Sequence, residues 1–315
     1  MINNAWRVIV SRKSGAGKAL ADWPHIAELL TRKSIDFSER ITDHAYHAIE
    51  LAEEAVKDGF RRLLVVGGDG ALHEVINGIF SQNEVDPSDV TIGLIPVGSG
   101  NDWSRMHKIP WDYEKAVDVI AEADRKTCYQ DIARVETRMD GERYSRYMIN
   151  IGGLGFDAEV CRRFDMAKER GHAGDKQYFK SLIKGFLFYK CLKFHVQVDG
   201  EEFFRGPAFS VAIGIGKYCG GGMMQTPGAE PDDGLLDITV TEKMGKLKFL
   251  TKVGALFKGT VYKYKEVHHT RGHIFEITAA PYSFMEVDGE TIGITPVRIS
   301  IIPAAIKIVS NLEKK

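Results

Sequence analysis

Gly67-Gly68-Asp69-Gly70 follows the apolar run Leu63-Leu64-Val65-Val66 and leads into Ala71-Leu72-His73-Glu74-Val75-Ile76-Asn77-Gly78-Ile79. Few folds bury a strand, end it in three glycines around one carboxylate, and then open a helix. Glycines let the chain approach a ligand closely and adopt positive φ. The helix that follows offers unpaired N–H groups at a positive dipole end, where phosphate can meet backbone. A carboxylate repels phosphate, so Asp69 suits a divalent cation lying between the two, or a substrate hydroxyl. The same residues also suit a plain strand-to-helix turn with Asp69 as a helix cap.

Around this turn, strand and helix patterns alternate. Trp6–Ser11 reads as an apolar strand, and 17–30 has helical spacing at Leu20, Trp23, Ile26, Ala27 and Leu30. Residues 35–41 alternate as a strand, and 43–57 repeat apolar residues at helical intervals up to Gly59. A strand over 61–66, a helix over about 70–80 and a strand over 91–95 complete a parallel α/β layer, which binds ligands at strand C-termini. Near residue 127 the pattern shifts to shorter strand-like runs split by Asp-Gly pairs at 140–141, 199–200, 233–234 and 288–289, each read as a turn. The expected organisation is an α/β nucleotide-binding domain over 1–127, to which 297–315 returns, and a β-rich domain over 128–296. Helices are expected within the second domain over about 157–190 and near 246–258.

At 315 residues two domains are expected, and a net charge of -1 provides no global basic field for nucleic acid. Cys128, Cys161, Cys191 and Cys219 are widely spaced and form no CxxC pair, so they read as reduced cytoplasmic thiols. No apolar run has the length of a signal peptide at the N-terminus or of a membrane span anywhere. Charge is uneven locally. Residues 162–193 hold nine Lys/Arg against three acids, interleaved with aromatics, and 243–265 hold seven Lys and no acid. Such a stretch suits peripheral contact with an anionic membrane surface, and equally suits a solvated helix face with its aromatics in the core.

Four further segments carry possible chemistry. Ser11-Arg12-Lys13-Ser14-Gly15-Ala16-Gly17-Lys18 is not a Walker A loop, because the spacing fails and Ala19 stands where a Mg2+-binding hydroxyl belongs. It can still wrap phosphate with N–H groups, hydroxyls and lysines. Pro96-Val97-Gly98-Ser99-Gly100-Asn101-Asp102 offers backbone and hydroxyl donors after a strand, or a helix N-cap. Glu230-Pro231-Asp232-Asp233-Gly234-Leu235 makes a hard-oxygen corner fit for Mg2+, or a simple turn. In Glu286-Val287-Asp288-Gly289-Glu290 a tight turn presents Asp288 and Glu290, and one such carboxylate can take a proton from a substrate hydroxyl.

Taken together and in this order, the motifs resemble the diacylglycerol-kinase-like lipid kinases of bacteria, a family that includes the catalytic core of sphingosine and ceramide kinases. The resemblance covers nearly the whole chain. It is strongest at Gly67–Gly78, Pro96–Asp102, Asn150–Asp157, Pro227–Leu235 and Asp288–Glu290. It implies a two-domain fold, an α/β nucleotide domain and a β-sandwich domain, with the active site in the cleft between them. It implies ATP as phosphoryl donor, Mg2+, and a lipid hydroxyl as acceptor. By the same resemblance Ser11, Arg12, Lys13, Ser14, Gly15, Thr42, Gly67, Gly68, Asp69, Gly70, Ala71, Leu72, His73 and Ser99 fall at nucleotide-contacting positions. Glu290 matches the general base, Asp69 matches an acid needed for activity, and Asp233 with the carbonyls of Glu230 and Leu235 matches a structural Mg2+ site.

The chain departs from the family pattern at several points. Ser11-Arg12 replaces the usual Asn-Pro, Ala71 replaces a Thr after the glycine turn, Ser99 replaces a Thr, and His73 replaces an Asn common in bacterial members. NAD kinases share the glycine turn, so a soluble nucleotide is the alternative acceptor. A binding module without catalysis is the alternative from another class. A homodimer is left open.

Overall fold

The computed structural model describes residues 3–169, 185, 186 and 188–312. The chain divides into two compact units, Met1–Asp131 with Ala304–Lys315, and Ile132–Pro303.

The first unit alternates β1 (Asn3–Val10), α1 (Lys18–Arg32), β2 (Phe37–Ile41), α2 (His47–Lys57), β3 (Phe60–Gly67), α3 (Asp69–Ser81) and β4 (Thr91–Pro96), then adds α4 (Asp102–Met106), α5 (Tyr113–Ala121) and α6 (Ala123–Lys126). β1 pairs in parallel with β2 and β3, and β3 pairs in parallel with β4. The returning segment pairs in parallel with β4, Lys307 opposite Thr91 and Ile308 opposite Ile92. Leu63, Leu64, Val65 and Val66 are fully buried, as a parallel strand covered on both faces requires. The helices bury one stripe each: Ala19, Trp23, Ile26, Leu29 and Leu30 on α1, and Ala48, Leu51, Ala52, Ala55 and Val56 on α2. α2 and α3 approach so closely that a Cβ at Gly78 would lie 2.2 Å from the Ile49 carbonyl.

The second unit runs from within β5 (Thr127–Met139) through β6 (Glu142–Met148), β7 (Ile151–Gly155), α7 (Phe156–Glu169), β8 (Leu192–Val198), β9 (Glu201–Gly214), the short pair β10 (Tyr218–Cys219) and β11 (Met223–Met224), β12 (Leu236–Glu242), α8 (Lys246–Lys258), β13 (Val267–Gly272), β14 (Ile274–Ala280) and β15 (Phe284–Val287) into β16 (Glu290–Val309). Six antiparallel pairings close a circuit: β7 to β9, β9 to β8, β8 to β14, β14 to β16, β16 to β15 and β15 back to β7. The circuit encloses Phe194, Val211, Ile213, Phe275, Met285, Val287 and Ile299 in one apolar core.

Three of the four Asp-Gly pairs read as turns join hairpins: 140–141, 199–200 and 288–289, with both residues at positive φ in each. Asp233-Gly234 joins no hairpin and lies in the loop ahead of β12. Half of the basic, aromatic stretch over 162–193, residues 170–184 and 187, lies outside the described residues. Where it is described, Arg162 and Arg163 pair with Glu159 on the same helix. No helix among the described residues is long and apolar enough to cross a membrane.

Candidate active site

Three glycine turns of the first unit pack against each other at strand C-termini. Val97 N–H donates to the Gly67 carbonyl at 2.7 Å, and a Cβ at Gly68 would lie 3.1 Å from the Gly98 Cα. A Cβ at Gly67 would lie 3.1 Å from Ser14 Oγ and 3.2 Å from Ser11 Cβ, so neither backbone could close up with a larger residue there. Ser14 Oγ donates to Ser11 Oγ at 2.8 Å, and Gly15, Ala16 and Gly17 all take positive φ, which bends the first loop back over the second. Arg12 reaches to the end of β2: its N–H donates to Thr42 Oγ1 and its Nε to the Thr42 carbonyl, both at 3.0 Å. The structure therefore brings Ser11, Arg12, Ser14, Gly15, Thr42, Gly67 and Gly68 together.

The other expected nucleotide contacts divide by exposure. Lys13, Gly70 and Ser99 are exposed, whereas Ala71, Leu72 and His73 are buried, with Leu72 and His73 at 0% and 2% exposure. His73 is oriented inward, toward Asn77 one turn further along α3. A cavity of about 140 Å³ opens beside Gly15 and Gly98, lined also by Lys18, Asn101, Trp111 and Tyr113.

Asp69 caps a helix, though not its own. Its carboxylate accepts the N–H groups of Asp102 and Trp103 at 3.0 Å each, at the start of α4. Asn101, at the N-cap position of α4, takes positive φ and makes no side-chain cap bond. Asp69 thus ties the turn after β3 to the turn after β4.

In the second unit, Asp288 is an anchor. Its carboxylate accepts the N–H groups of Ile149, Asn150 and Ile151 at 3.0 to 3.1 Å. Glu290 begins β16, directly after this turn. Sequence reasoning missed Glu286, which is 9% exposed and accepts the Gly289 N–H at 3.0 Å. Burial pushes its carboxyl well above the usual carboxylate range, and the nearby Asp157, Asp288 and Asp165 push the same way. Burial likewise raises Asp157 to about 6, against a hydrogen bond from Gln225. The signal available in the sequence was an acid inside the apolar run Phe284-Met285-Glu286-Val287.

Asp233 accepts the Leu235 N–H at 3.1 Å and pairs with Arg271, which also reaches Asp237 at 2.9 Å. The donor set of Asp233 with the Glu230 and Leu235 carbonyls is all hard oxygen and fits Mg2+, with Arg271 competing for the carboxylate. Among the described residues, one trio of metal-ligating side chains has its donor atoms within 4.8 Å of one another: Asp43, His44 and His47, next to Thr42.

The family described as diacylglycerol kinase catalytic domain matches residues 5–132, and the one described as YegS C-terminal NAD kinase beta sandwich-like domain matches residues 151–310. The chain belongs to the diacylglycerol kinase family. It is 27% identical over 296 residues to a diacylglycerol kinase of Mycobacterium tuberculosis (strain CDC 1551 / Oshkosh), covering 94% of this chain and 91% of that protein. A diacylglycerol kinase of Staphylococcus saprophyticus is also 27% identical, over 92% of this chain and 90% of that protein. A crystal structure of a diacylglycerol kinase from Bacillus anthracis str. Sterne, 24% identical, superposes with a TM-score of 0.76 over 98% of this chain and 97% of that one. An NAD kinase from Archaeoglobus fulgidus in complex with ATP, 13% identical, superposes with a TM-score of 0.52 over 97% and 94%. At these identities the structures share the fold. Membership makes this diacylglycerol kinase family chain a kinase, and its relatives place it among the lipid kinases.

Proposed function

We propose that the chain transfers the γ-phosphoryl group of ATP to a hydroxyl of a lipid such as diacylglycerol or a sphingoid base. The observation that carries this reading is the meeting of three glycine turns at the ends of β1, β3 and β4, held together by Val97 N–H on Gly67 and by Asp69 on α4. Such a surface presents backbone N–H groups to phosphates without side chains in the way. Ser11–Gly15, Gly67–Gly70 and Ser99 line the phosphates and Thr42 the nucleoside. Asp69 acts by keeping two of these turns in register. Glu290 takes the proton of the lipid hydroxyl as the phosphoryl group moves, and catalysis is otherwise positioning and charge neutralisation. Asp233, with the carbonyls of Glu230 and Leu235, would hold Mg2+, whose positive charge would fix the 230–235 loop. The lipid is met at an anionic membrane surface. Leu247, Leu250 and Phe257 on α8, and Phe188, all more than half exposed, support this by offering apolar contact beside lysines.

The test is transfer of labelled γ-phosphate from ATP into dispersed diacylglycerol, monoacylglycerol, phosphatidylglycerol, sphingosine and ceramide, with NAD as the soluble control. Label is expected in one lipid, and Glu290→Gln is expected to lower kcat by about 10² or more. Label in NAD alone would move the acceptor to a soluble nucleotide. Normal turnover in Glu290→Gln would remove Glu290 from the role of base.

A further inference from the structure

The turn that carries Glu290 is held more firmly than a two-residue hairpin needs. Asp288 and Gly289 take φ of 49° and 87°, the two positive values that close such a turn. Asp288 alone would anchor it, through three N–H groups of the β6–β7 connection. Yet Gly289, the residue directly before Glu290, is gripped on both sides as well. Its N–H donates to Glu286 Oε2 at 3.0 Å, and its carbonyl accepts from the Cys161 thiol of α7 at 3.0 Å. On the far side of Glu290, Thr291 donates from its N–H and its hydroxyl to Asp165, also on α7.

We propose that Glu286 is the positioning residue for Glu290: its buried carboxyl holds Gly289 N–H and so fixes the backbone from which Glu290 acts. The inference rests on the general-base reading of Glu290. Burying an acid is costly, and the site shows the cost being met rather than avoided. The carboxyl stands near Asp157 and Asp165 of α7 and Asp288 of the turn, and burial first, then these neighbouring acids, push it well above the usual carboxylate range. The hydrogen bond from Gly289 N–H offsets part of the cost of burial, and the neighbouring Asp157 has its Oδ2 buried with no hydrogen-bond partner. Room for the pair comes from Gly153 of β7, where a Cβ would lie 2.8 Å from Glu286 Oε1 and 3.0 Å from Asp157 Cβ. A hydrophobic side chain would fill the same space at lower cost but could not hold the amide. The acid's gain is therefore geometric, and it falls on the residue next to the base.

The test compares Glu286→Gln, which keeps an acceptor of the same shape, with Glu286→Met, which keeps the volume and loses the acceptor. Both are measured for lipid phosphorylation with ATP, alongside Glu290→Gln and the double variant Glu286→Met/Glu290→Gln. Circular dichroism and melting curves check the folds. Glu286→Gln is expected to stay within about threefold of the parent kcat. Glu286→Met is expected to lose about tenfold or more in kcat with both KM values nearly unchanged, as displacement of a catalytic group by a fraction of an ångström does. In the double variant, Glu286→Met should cost nothing beyond Glu290→Gln, because it acts through the residue already removed. A normal kcat in Glu286→Met, an equal loss in Glu286→Gln, or multiplying losses in the double variant would each overturn the proposal while leaving Glu290 as base. A normal kcat in Glu290→Gln would instead sink the general-base reading itself. Should Glu286→Met not fold, Glu286→Gln decides: near-parent kcat supports the hold on Gly289, and a tenfold loss overturns it.

Discussion

His107 shows how one side chain can set the response of the first unit to acid. It is 1% exposed, its ring packs on Trp103 at 4.3 Å, and its Nδ1 lies 3.3 Å from Ser310 Oγ in the returning segment. Burial pushes the imidazole down to about 3, against a raising hydrogen bond with Gln130. The unfolded chain takes up a proton near pH 6.5, while the folded chain resists it. The stabilisation is thus complete above that pH and is lost as pH falls toward 3. We expect His107→Gln to show a shallower fall in Tm than the parent between about pH 6.5 and 4, read by thermal melts across that range. Equal slopes would mean that His107 is not the group responsible. None of this was legible in the sequence, where His107 is a single polar residue near the end of a short helix. Glu286 was hidden for the same reason, since burial and neighbours give both residues their character.

Elements were legible where one residue pattern determined them. The Leu63–Val66 run and the apolar spacing after Gly70 identify β3 and α3 because propensity, periodicity and turn chemistry agree there. β7 had no such signal: Ile151-Gly-Gly-Leu-Gly155 shows neither alternation nor a run of strand formers, yet it pairs on both sides, with β9 and β15. Gly152 and Gly153 are dictated by what presses on them, Met285 and Glu286 from β15, and not by strand propensity. Partners far along the chain were also unreadable. Asp69 was legible as an acid in a phosphate turn and as a cap, but not as the cap of α4, 33 residues on. We expect Asp69→Ala to cost about 0.5–2 kcal/mol of stability, the usual loss for a helix cap, besides any loss of activity. Urea denaturation would read it, and an unchanged midpoint would mean that the two bonds add nothing to the fold.

On the scale of the whole molecule, the first unit is not a continuous stretch of chain. Ala305, Ile306, Ile308 and Val309 are buried in it, and they arrive only after the second unit is complete. Burying the three larger ones contributes on the order of 5 kcal/mol. A fragment of residues 1–131 should therefore melt early or fail to fold, and a peptide of residues 304–312 added in trans should restore it. A fragment that melts like the parent without the peptide would show that the returning strand adds little. The points where the chain leaves and re-enters the first unit adjoin, because Ala304 N–H donates to Asp131 Oδ1 at 2.7 Å. That proximity bears on synthesis at the ribosome. The strand that completes the parallel sheet of the first unit emerges after every residue of the second unit. Until it does, one edge of β4 stays open in the nascent chain, and chaperones would meet that edge first.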